Sequence, residues 1–422
     1  MFATVQAQTN PQKEQKQSLS LSLDQAQQYA LENNRTIKKA DIAIKQAELF
    51  KWAAISNFLP QGNASYSYTG YFIDSIYINA FHLSIPMTPS SSMNFQVTQS
   101  IFNLNYVVAI QLSKLGLQMS ENAMEQTELS IKQSINTSYY SILLLENNKQ
   151  ILDKNLANVH ILAKAVQSKV KVGIAEPTEA DQIELTVANL ENTLQSTERN
   201  IEMAYNSMRF LLGLDVNDEL ILTGSLSDLT GNKNTLELLV QPFELDNNLD
   251  LKSSKLSLEM NRKQYQLSMA SLMPTFSAGF LHMEKFSQSA FDMAPKNSFS
   301  FSASMPLFTG GRNAANIRKA KLAYYSAQID HDMAIDNLLI QEKQLRYNLK
   351  SMQEGFDIQK KNIEVSQRVF DNVTKKYEQG LSSSLELTIA NNSLLTAQNN
   401  YINSIMSLLN AQDALQKLLG TL

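Results

Sequence analysis

The sequence contains no cysteine, which excludes disulfide bonds, thiolate metal sites and cysteine nucleophiles. Histidine is scarce too, and its four residues form no HExxH or HxxxH pair (His82, His160, His282 and His331). We find no Ser-His-Asp arrangement in a strand-turn-helix context and no phosphate-binding glycine loop. The sequence therefore predicts that the protein is not an enzyme and binds no metal or cofactor.

Charged residues are also few. Asp, Glu, Lys and Arg make up 18% of the chain, below the quarter that is typical of soluble domains. The 36 basic and 40 acidic residues nearly balance, whereas nucleic-acid-binding proteins usually carry a basic face or tail. Because no run of 18 apolar residues occurs, we expect no transmembrane helix. Asn, Gln and Ser are abundant instead, so uncharged polar groups replace charge over much of the surface.

The first residues are typical of the end of a secretory signal. Val5-x-Ala7, followed by Gln8, matches a small-residue cleavage site. A disordered N-terminus is the alternative, because residues 8–17 are strongly polar. We assign residues 1–17 to a signal-peptide remnant and flexible leader, and we expect the protein to be exported.

Short motifs recur at two nearly constant spacings, which predicts two copies of one unit separated by a short length change. At a spacing of 214 residues, Leu31-Glu32-Asn33-Asn34 recurs as Leu245-Asp246-Asn247-Asn248, and Phe58-Leu59-Pro60 as Leu272-Met273-Pro274. At a spacing of 207 residues, Val172-Gly173-Ile174 matches Gln379-Gly380-Leu381, and Leu211-Leu212-Gly213 matches Leu418-Leu419-Gly420.

Each copy is predicted to contain a helix, two strands, a very long helix, a tip and another long helix. The first copy covers 18–213, with strands at about 61–102 and long helices at about 104–172 and 177–212. The second covers 242–422, with strands at about 274–308 and long helices at about 312–379 and 383–420. Between them, 214–241 is predicted to form a strand at Glu219–Leu222 and a linker.

The predicted strands alternate between apolar and small polar residues, which indicates two faces in different environments. An aromatic and aliphatic face opposite an uncharged polar face fits the lipid-facing wall of a β-barrel over a watery lumen. An amphipathic sheet on a soluble core is the alternative. The apolar set is Ala64, Tyr66, Tyr68, Phe72, Met93, Phe95, Val97, Ile101, Phe276, Ala278, Phe280, Phe299, Phe301, Ala303 and Met305.

The helices are too long for a compact domain. Residues 104–172 contain no proline and would span about 100 Å as one helix. Their apolar residues step by four and then three positions, which is typical of coiled-coil packing. The partner helix continues the pattern. The positions are Ile131, Ile135, Ile142, Leu145, Leu152, Leu156, Val159, Val166 and Val170, then Ile183, Val187, Leu190, Leu194, Ile201 and Met208.

The number of predicted strands constrains the assembly. Four strands cannot close a barrel, and an open sheet edge in lipid leaves backbone groups unpaired at several kcal/mol each. If the strands lie in a membrane, several chains must therefore combine them. Three chains would supply twelve strands, which is the smallest ring that leaves an open lumen.

These patterns resemble the TolC family of outer-membrane efflux proteins from about residue 18 to the end. The segment Pro306-Leu307-Phe308-Thr309-Gly310-Gly311-Arg312 at the second strand-to-helix junction is the most specific, and Ser100-Ile101-Phe102-Asn103 in the first copy lacks its double glycine. The other matching segments are Leu21-Ser22-Leu23-Asp24-Gln25-Ala26 and Leu31-Glu32-Asn33-Asn34 at the entry helix, and Val172-Gly173-Ile174 and Tyr377-Glu378-Gln379-Gly380-Leu381 at the hairpin tips. Gln379 stands where the family usually has valine.

The resemblance implies an α+β membrane protein with an internal two-fold repeat. Four strands per chain would contribute to a trimeric 12-stranded barrel in the outer membrane, continuous with a long α-helical barrel across the periplasm. The family passes substrates of a tripartite efflux or type I secretion system outward. The implied partners are outer-membrane lipid, a periplasmic adaptor and an inner-membrane pump of the RND or ABC type. A non-channel coiled-coil envelope scaffold is the alternative, and the strand alternation favours the duct.

The resemblance also suggests functional residues at the tips. The hairpin tips Val172-Gly173-Ile174 and Gln379-Gly380-Leu381 would meet the adaptor. Glu386 matches an aspartate of the family's closed periplasmic aperture, and Glu179 would be its pseudo-symmetric partner. The family's second acidic position in that helix falls on Ile389.

The tip residues also have ordinary structural interpretations. Ser383 and Glu386 fit a capping box, while Pro177 and Glu179 fit the first turn of a helix. One glutamate can serve both roles. The basic residues before the tips can offset the helix dipole or pair with a neighbouring chain's glutamates (Lys169, Lys171, Lys375 and Lys376).

Overall fold

The computed structural model describes residues 18–73, 75–79, 83–225, 235–287 and 294–422. The predicted leader at 1–17, residues 226–234 of the predicted linker and His82 lie outside the described residues. The described chain divides into two compact units. We call one the helical unit, which comprises the described residues up to Lys39, Met124–Asn248 and Asp336–Leu422. We call the other the sheet unit, which comprises Ala40–Ala123 and the described residues from Leu249 to Ile335.

The described elements up to residue 212 begin with a short strand and two helices and end with two long helices. They are β1 (Ser18–Leu21), α1 (Leu23–Asn33), α2 (Arg35–Ser56), β2 (Gln61–Thr69), β3 (Ser75–Ile78), β4 (Leu83–Pro86), β5 (Ser90–Phe102), α3 (Leu104–Lys171) and α4 (Pro177–Leu212). The longest of these, α3, has 68 residues.

The described elements after residue 212 follow a similar order. They are β6 (Glu219–Leu222), α5 (Thr235–Val240), a 3₁₀ turn (Leu245–Asn247), α6 (Leu249–Ala270), β7 (Thr275–Ser287), β8 (Asn297–Ser304), α7 (Arg312–Glu378) and α8 (Ser384–Leu419). Corresponding helices match in length: α2 and α6 have 22 residues each, α3 and α7 have 68 and 67, and α4 and α8 have 36 each. Among the described residues, no helix is both long and apolar enough to cross a bilayer.

A four-stranded antiparallel sheet with the order β2-β5-β7-β8 lies in the sheet unit. Along part of its length the register aligns apolar residues with apolar residues across the strands, because the side-chain period of two keeps each set on one face. Phe95 lies opposite His282, however, and Met93 opposite Glu284. Val97 lies opposite Phe280, which lies opposite Phe299. The other face carries small hydroxyls, and the hydroxyls of Ser277 and Ser302 lie 2.7 Å apart. The alternation predicted from the sequence is therefore present along this sheet.

The sheet differs from the predicted apolar face at three places: Phe72 and Met305 lie beyond the ends of β2 and β8, and a β-bulge falls at Ile101. The pairing of β5 with β7 shifts between Ser100 and Phe102, so Ile101 is the extra residue. An inserted residue reverses the faces of the residues that follow it. Phe102, rather than Ile101, consequently lies opposite Phe276, with the two ring centroids 6.2 Å apart.

Two further strand pairs were not predicted. In the sheet unit, β3 and β4 follow β2 and precede β5 in the sequence, and they form a separate antiparallel pair. In the helical unit, β1 pairs in parallel with β6, which is the strand expected at 219–222. Gly224 lies just after the end of β6. Its backbone N–H donates to the hydroxyl of Tyr139 at 2.9 Å.

The helical unit is held by the apolar seam that the heptad pattern predicts. Ile135, Ile142, Val159 and Val166 of α3 are buried, as are Ile183, Leu190 and Met208 of α4. One cluster joins α3 and α4 to α1 and α8, and it includes the fully buried Tyr139 and Tyr140. A second cluster near the tips joins α3 and α4 to Tyr377 of α7 and Leu387 of α8. The long helices are therefore stabilised by packing along a shared seam rather than by a globular core.

Candidate functional site: the hairpin tips

Both long-helix pairs turn back through the same backbone motif. Gly173 and Gly380 have φ values of 73° and 75°, the left-handed region that glycine occupies without steric cost. After α3, the N–H of Gly173 bonds to the Val170 carbonyl at 3.0 Å and that of Ile174 to the Lys169 carbonyl at 2.9 Å. After α7, Gly380 and Leu381 make the equivalent bonds to the Tyr377 and Lys376 carbonyls. Each helix thus ends in a Schellman motif that satisfies its last carbonyl groups.

The tips carry apolar side chains that the chain itself leaves exposed. Val172, Ile174 and Leu381 are 69%, 75% and 74% exposed. Gln379 is exposed as well, so the predicted docking residues lie together on the surface of each tip. The helix ends beneath them are fixed by backbone hydrogen bonds, so these side chains are presented from a defined loop rather than a long flexible one.

Glu386 closes a capping box at the start of α8. The hydroxyl of Ser383 accepts from the Glu386 N–H at 3.2 Å, and the Glu386 carboxylate accepts from the Ser383 N–H at 3.3 Å. The Ser382 hydroxyl also donates to this carboxylate. The Ser382 hydroxyl, the Ser383 N–H and the positive charge of Lys376 together lower the pKa of Glu386 below its ordinary value. The carboxylate is therefore kept ionised while its side chain remains exposed.

Glu179 occupies the equivalent turn of α4 in a different environment. The helix begins with Pro177, and Glu176 at the N-cap makes no side-chain cap bond. Glu179 is half-buried, and its negative charge adds to burial in raising the pKa of Tyr377. Both glutamates therefore occupy first-turn positions, as the sequence predicts. Within the described part of one chain, no hydrogen bond joins the side chains of Glu179 and Glu386.

Sequence reasoning missed the contact between the two hairpins. The Lys169 ammonium lies 4.7 Å from the centroid of the Tyr377 ring, within range of a cation–π interaction. Tyr377 is only 5% exposed and belongs to the same apolar cluster as Val166 and Ile183. A large aromatic residue three positions before a tip glycine was the available signal. The contact itself depends on the tertiary register of two helices.

The strand-to-helix junction of the sheet unit places its double glycine before α7. Gly310 and Gly311 have φ values of 59° and 82°, and a Cβ atom at either position would meet no atom within 4 Å. Backbone conformation rather than crowding therefore calls for glycine here. Phe308 is almost fully exposed. The junction before α3 uses Asn103 instead, whose side chain accepts from the Asn105 N–H at 3.0 Å.

The described residues hold no group of three or more His, Asp or Glu side chains that could ligate a metal ion. The charged side chains at the tips lie along the helix ends and do not converge on one point. The charges at this site belong to Glu179 and Glu386, to the neighbouring lysines and to further acidic residues such as Glu176 and Glu378.

Comparison with known proteins gives a consistent result. The model of the family described as "Outer membrane efflux protein" matches residues 26–214 and 243–421. Outer membrane protein TolC of Vibrio cholerae is 18% identical over 332 residues, which cover 76% of this chain and 75% of that protein.

Two crystal structures share the fold. The structure of the outer membrane protein VceC from Vibrio cholerae aligns with a TM-score of 0.75 at 17% identity, covering 94% of this chain and 96% of that one. The open-state MtrE outer membrane channel of Neisseria gonorrhoeae aligns with a TM-score of 0.75 at 17% identity, covering 98% and 94%. The chain therefore belongs to the outer membrane efflux protein family and is a TolC-like efflux protein of the outer membrane.

Proposed function

We propose that three copies of this chain form one duct, in which a 12-stranded β-barrel crosses the outer membrane and a barrel of long helices extends into the periplasm. The observation that carries this proposal is the open four-stranded sheet. Its outer strands, β2 and β8, each have a strand neighbour on one side only within the described residues. In lipid those free edges must be paired, and pairing β2 of one chain with β8 of the next closes the ring.

The exposed aromatic face of the sheet supports the same assembly. Tyr66, Phe280, Phe299 and Phe301 are all strongly exposed, although aromatic side chains of this size are usually buried. Contact with lipid acyl chains accounts for their exposure, while the hydroxyl-rich face would line the lumen. The serine pairs on that face then contact water.

We also propose that the chain is an internal repeat, with copies at 18–213 and 242–422 joined through 214–241. The matching lengths of the paired helices and the shared tip motif support this assignment. Three chains would then supply twelve long helices to the tunnel. Packing along heptad seams, with Asn, Gln and Ser elsewhere, suits a wall that has water on both sides.

At the periplasmic end, the two tips of each chain would surround the aperture and dock an adaptor. Val172, Ile174 and Leu381 supply apolar contacts for such a partner. Glu179 and Glu386 would place six carboxylates around the opening of a trimer, and like charges held close attract cations. An inner-membrane pump of the RND or ABC type would deliver substrate through the adaptor.

The absence of cysteine allows a direct test of the ring. Ser65→Cys on β2, combined in turn with Ser298→Cys, Ser300→Cys and Ser302→Cys on β8, places thiols on the polar face of both edges. Short thiol-reactive cross-linkers should join chains into covalent dimers and trimers in at least one combination. The mass of the detergent-solubilised protein should equal three chains.

A second pair of cysteine substitutions, placed within one chain, is the control for cross-linking between chains. Ser67→Cys with Ser92→Cys lies within one sheet, where the two hydroxyls are 3.0 Å apart. This pair should cross-link without changing the size of the chain. Cross-linking that yields no trimer, together with a stable monomer of native β content, would contradict the barrel.

A further inference from the structure

A pocket of about 690 Å³ lies within the helical unit, between the tip ends of all four long helices. This volume falls in the range of small-molecule binding sites. Its walls are mainly apolar, and they include Val159, Leu162, Ile183, Phe370 and Leu387. The pocket therefore has the size and the lining of a site for a compact apolar group.

Two buried polar side chains that line this pocket have no hydrogen-bond partner among the described residues. Asn391 of α8 is 3% exposed, and neither its amide nitrogen nor its amide oxygen is bonded. Tyr377 of α7 is 5% exposed, and its hydroxyl is likewise unbonded. Burying such groups without partners is unfavourable, and native proteins satisfy the great majority of them. The two side chains together leave both donors and acceptors to be satisfied.

The charges around the pocket exclude a strong preference for an ion. Lys169 and Lys375 line it together with Asp371 and Glu378, so the four formal charges cancel. The Lys169 ammonium already faces the Tyr377 ring. An uncharged group that both donates and accepts is the complement of the Asn391 amide, because an amide pairs with an amide through N–H···O=C bonds in both directions.

We propose that this pocket binds a small uncharged amphiphile, with an aromatic body against the apolar wall and an amide head paired with Asn391. The hydroxyl of Tyr377 would complete the polar contacts of the head. All of the lining residues come from the two helix hairpins of a single chain, so one chain supplies the whole lining. A bound ligand would contact α3, α4, α7 and α8 at once and thereby stabilise the tip end of the helical unit.

Three naphthalene probes with the same body and different heads test the chemistry. 1-Naphthylacetamide is neutral, 1-naphthylacetate is an anion and 1-naphthylmethylammonium is a cation. Calorimetric titration of the full chain in lipid nanodiscs should give saturable binding of the amide at one site per chain. Its affinity should exceed that of either ion by roughly tenfold or more, the ratio that one additional amide hydrogen bond supports.

Variants of neighbouring asparagines locate the site. Asn391→Leu should weaken binding of the amide probe by roughly tenfold while the chain still folds, because the substitution removes unpaired polar atoms. Asn392→Leu changes the adjacent exposed residue and should leave binding unchanged. A melting curve of each variant establishes folding. Equal affinity for the three probes, an Asn391→Leu protein that binds as the native chain does, or no saturable binding overturns the proposal.

Discussion

Lys169 at the end of α3 lies against the ring of Tyr377 at the end of α7, with 4.7 Å between the ammonium nitrogen and the ring centroid. The contact joins the two hairpins of one chain just before their tips. Since Tyr377 is buried, the ring supplies a fixed surface on which the half-buried lysine rests. Any opening that separates the hairpins must break this contact, so it stabilises the arrangement in which the tips lie close.

The strength of this contact can be measured by a double-mutant cycle. Lys169→Met retains much of the side-chain volume and removes the charge, while Tyr377→Leu removes the ring. The two changes should couple by about 0.5–1 kcal/mol in the free energy of unfolding of the helical unit, because either one alone abolishes the cation–π interaction. Tyr377→Phe, which keeps the ring, should preserve the coupling with Lys169.

Lys171→Met provides the matched control for that cycle. Lys171 is an exposed cation two residues further along the same helix. Its replacement should show no coupling with Tyr377→Leu. Equal coupling for both lysines would indicate a general electrostatic effect of the helix end instead of a specific contact.

The depressed pKa of Glu386 predicts how the start of α8 responds to acid. The folded chain favours the ionised carboxylate, so its contribution to stability is fully present above the ordinary pKa of 4.5 and is lost as the pH falls through the lower folded value. The difference in unfolding midpoint between the native chain and Glu386→Gln should therefore be constant from pH 7 to 5. It should shrink below pH 4.5. Chemical denaturation at a series of pH values measures this difference.

Glu184→Gln is a suitable comparison for the acid experiment, because Glu184 is an exposed carboxylate of α4. Its midpoint should follow that of the native chain at every pH. A Glu386→Gln difference that persists unchanged to pH 3 would show that the hydrogen bonds of the capping box, and not the carboxylate charge, stabilise the helix start.

The proposed assignment of one face of the sheet to the lipid can be tested by placing an arginine on each face. Phe301 is 61% exposed on the apolar face, opposite Ala278, whereas Ser300 lies on the polar face opposite Gly279. Phe301→Arg should destabilise the membrane-inserted protein by roughly 2–4 kcal/mol if the residue lies near the bilayer midplane. Ser300→Arg should be tolerated better. Yields of heat-modifiable oligomer from outer membranes would measure both, and the opposite order would reverse the assignment of the faces.

Much of the fold follows from local patterns in the sequence. The heptad seam through Ile135, Val159 and Ile183 identifies the long helices, since burial requires one continuous face. The tip glycines follow from the need for a left-handed residue. The helix α3 ends at Lys171, one residue before the expected end.

Other features depend on contacts between residues far apart in the sequence, so local patterns could not predict them. The bulge at Ile101 changes the face of Phe102 without altering the composition of the strand. The strand β1 pairs with β6 across about 200 residues, and four residues carry too little alternation to identify it. The pocket at Asn391 requires four helices to be aligned, which no single-helix pattern specifies.

The last prediction concerns the proposed aperture. If Glu179 and Glu386 of three chains surround one opening, their negative charge should concentrate cations and make the resting pore cation-selective. Replacing both with Gln keeps side-chain size and some capping hydrogen bonds while removing six charges from the trimer. Single-channel recordings should then show weaker cation selectivity and less block by divalent or trivalent cations added at the periplasmic side. Above pH 5 the unfolding midpoint should change only by the small, constant difference that the acid experiment expects for Glu386→Gln, because both side chains lie in the first turns of their helices, outside the apolar clusters.

Glu176→Gln is the control for this experiment, since Glu176 is an exposed carboxylate of the same tip that makes no cap bond to its helix. A ring at the opening predicts that the Glu179 and Glu386 changes reduce block more than the Glu176 change does, because the carboxylates nearest to a cation in the pore attract it most strongly. If all three changes reduce block equally, the tips act as a diffuse acidic surface. If selectivity and block stay unchanged while stability falls, the two glutamates serve only to begin their helices.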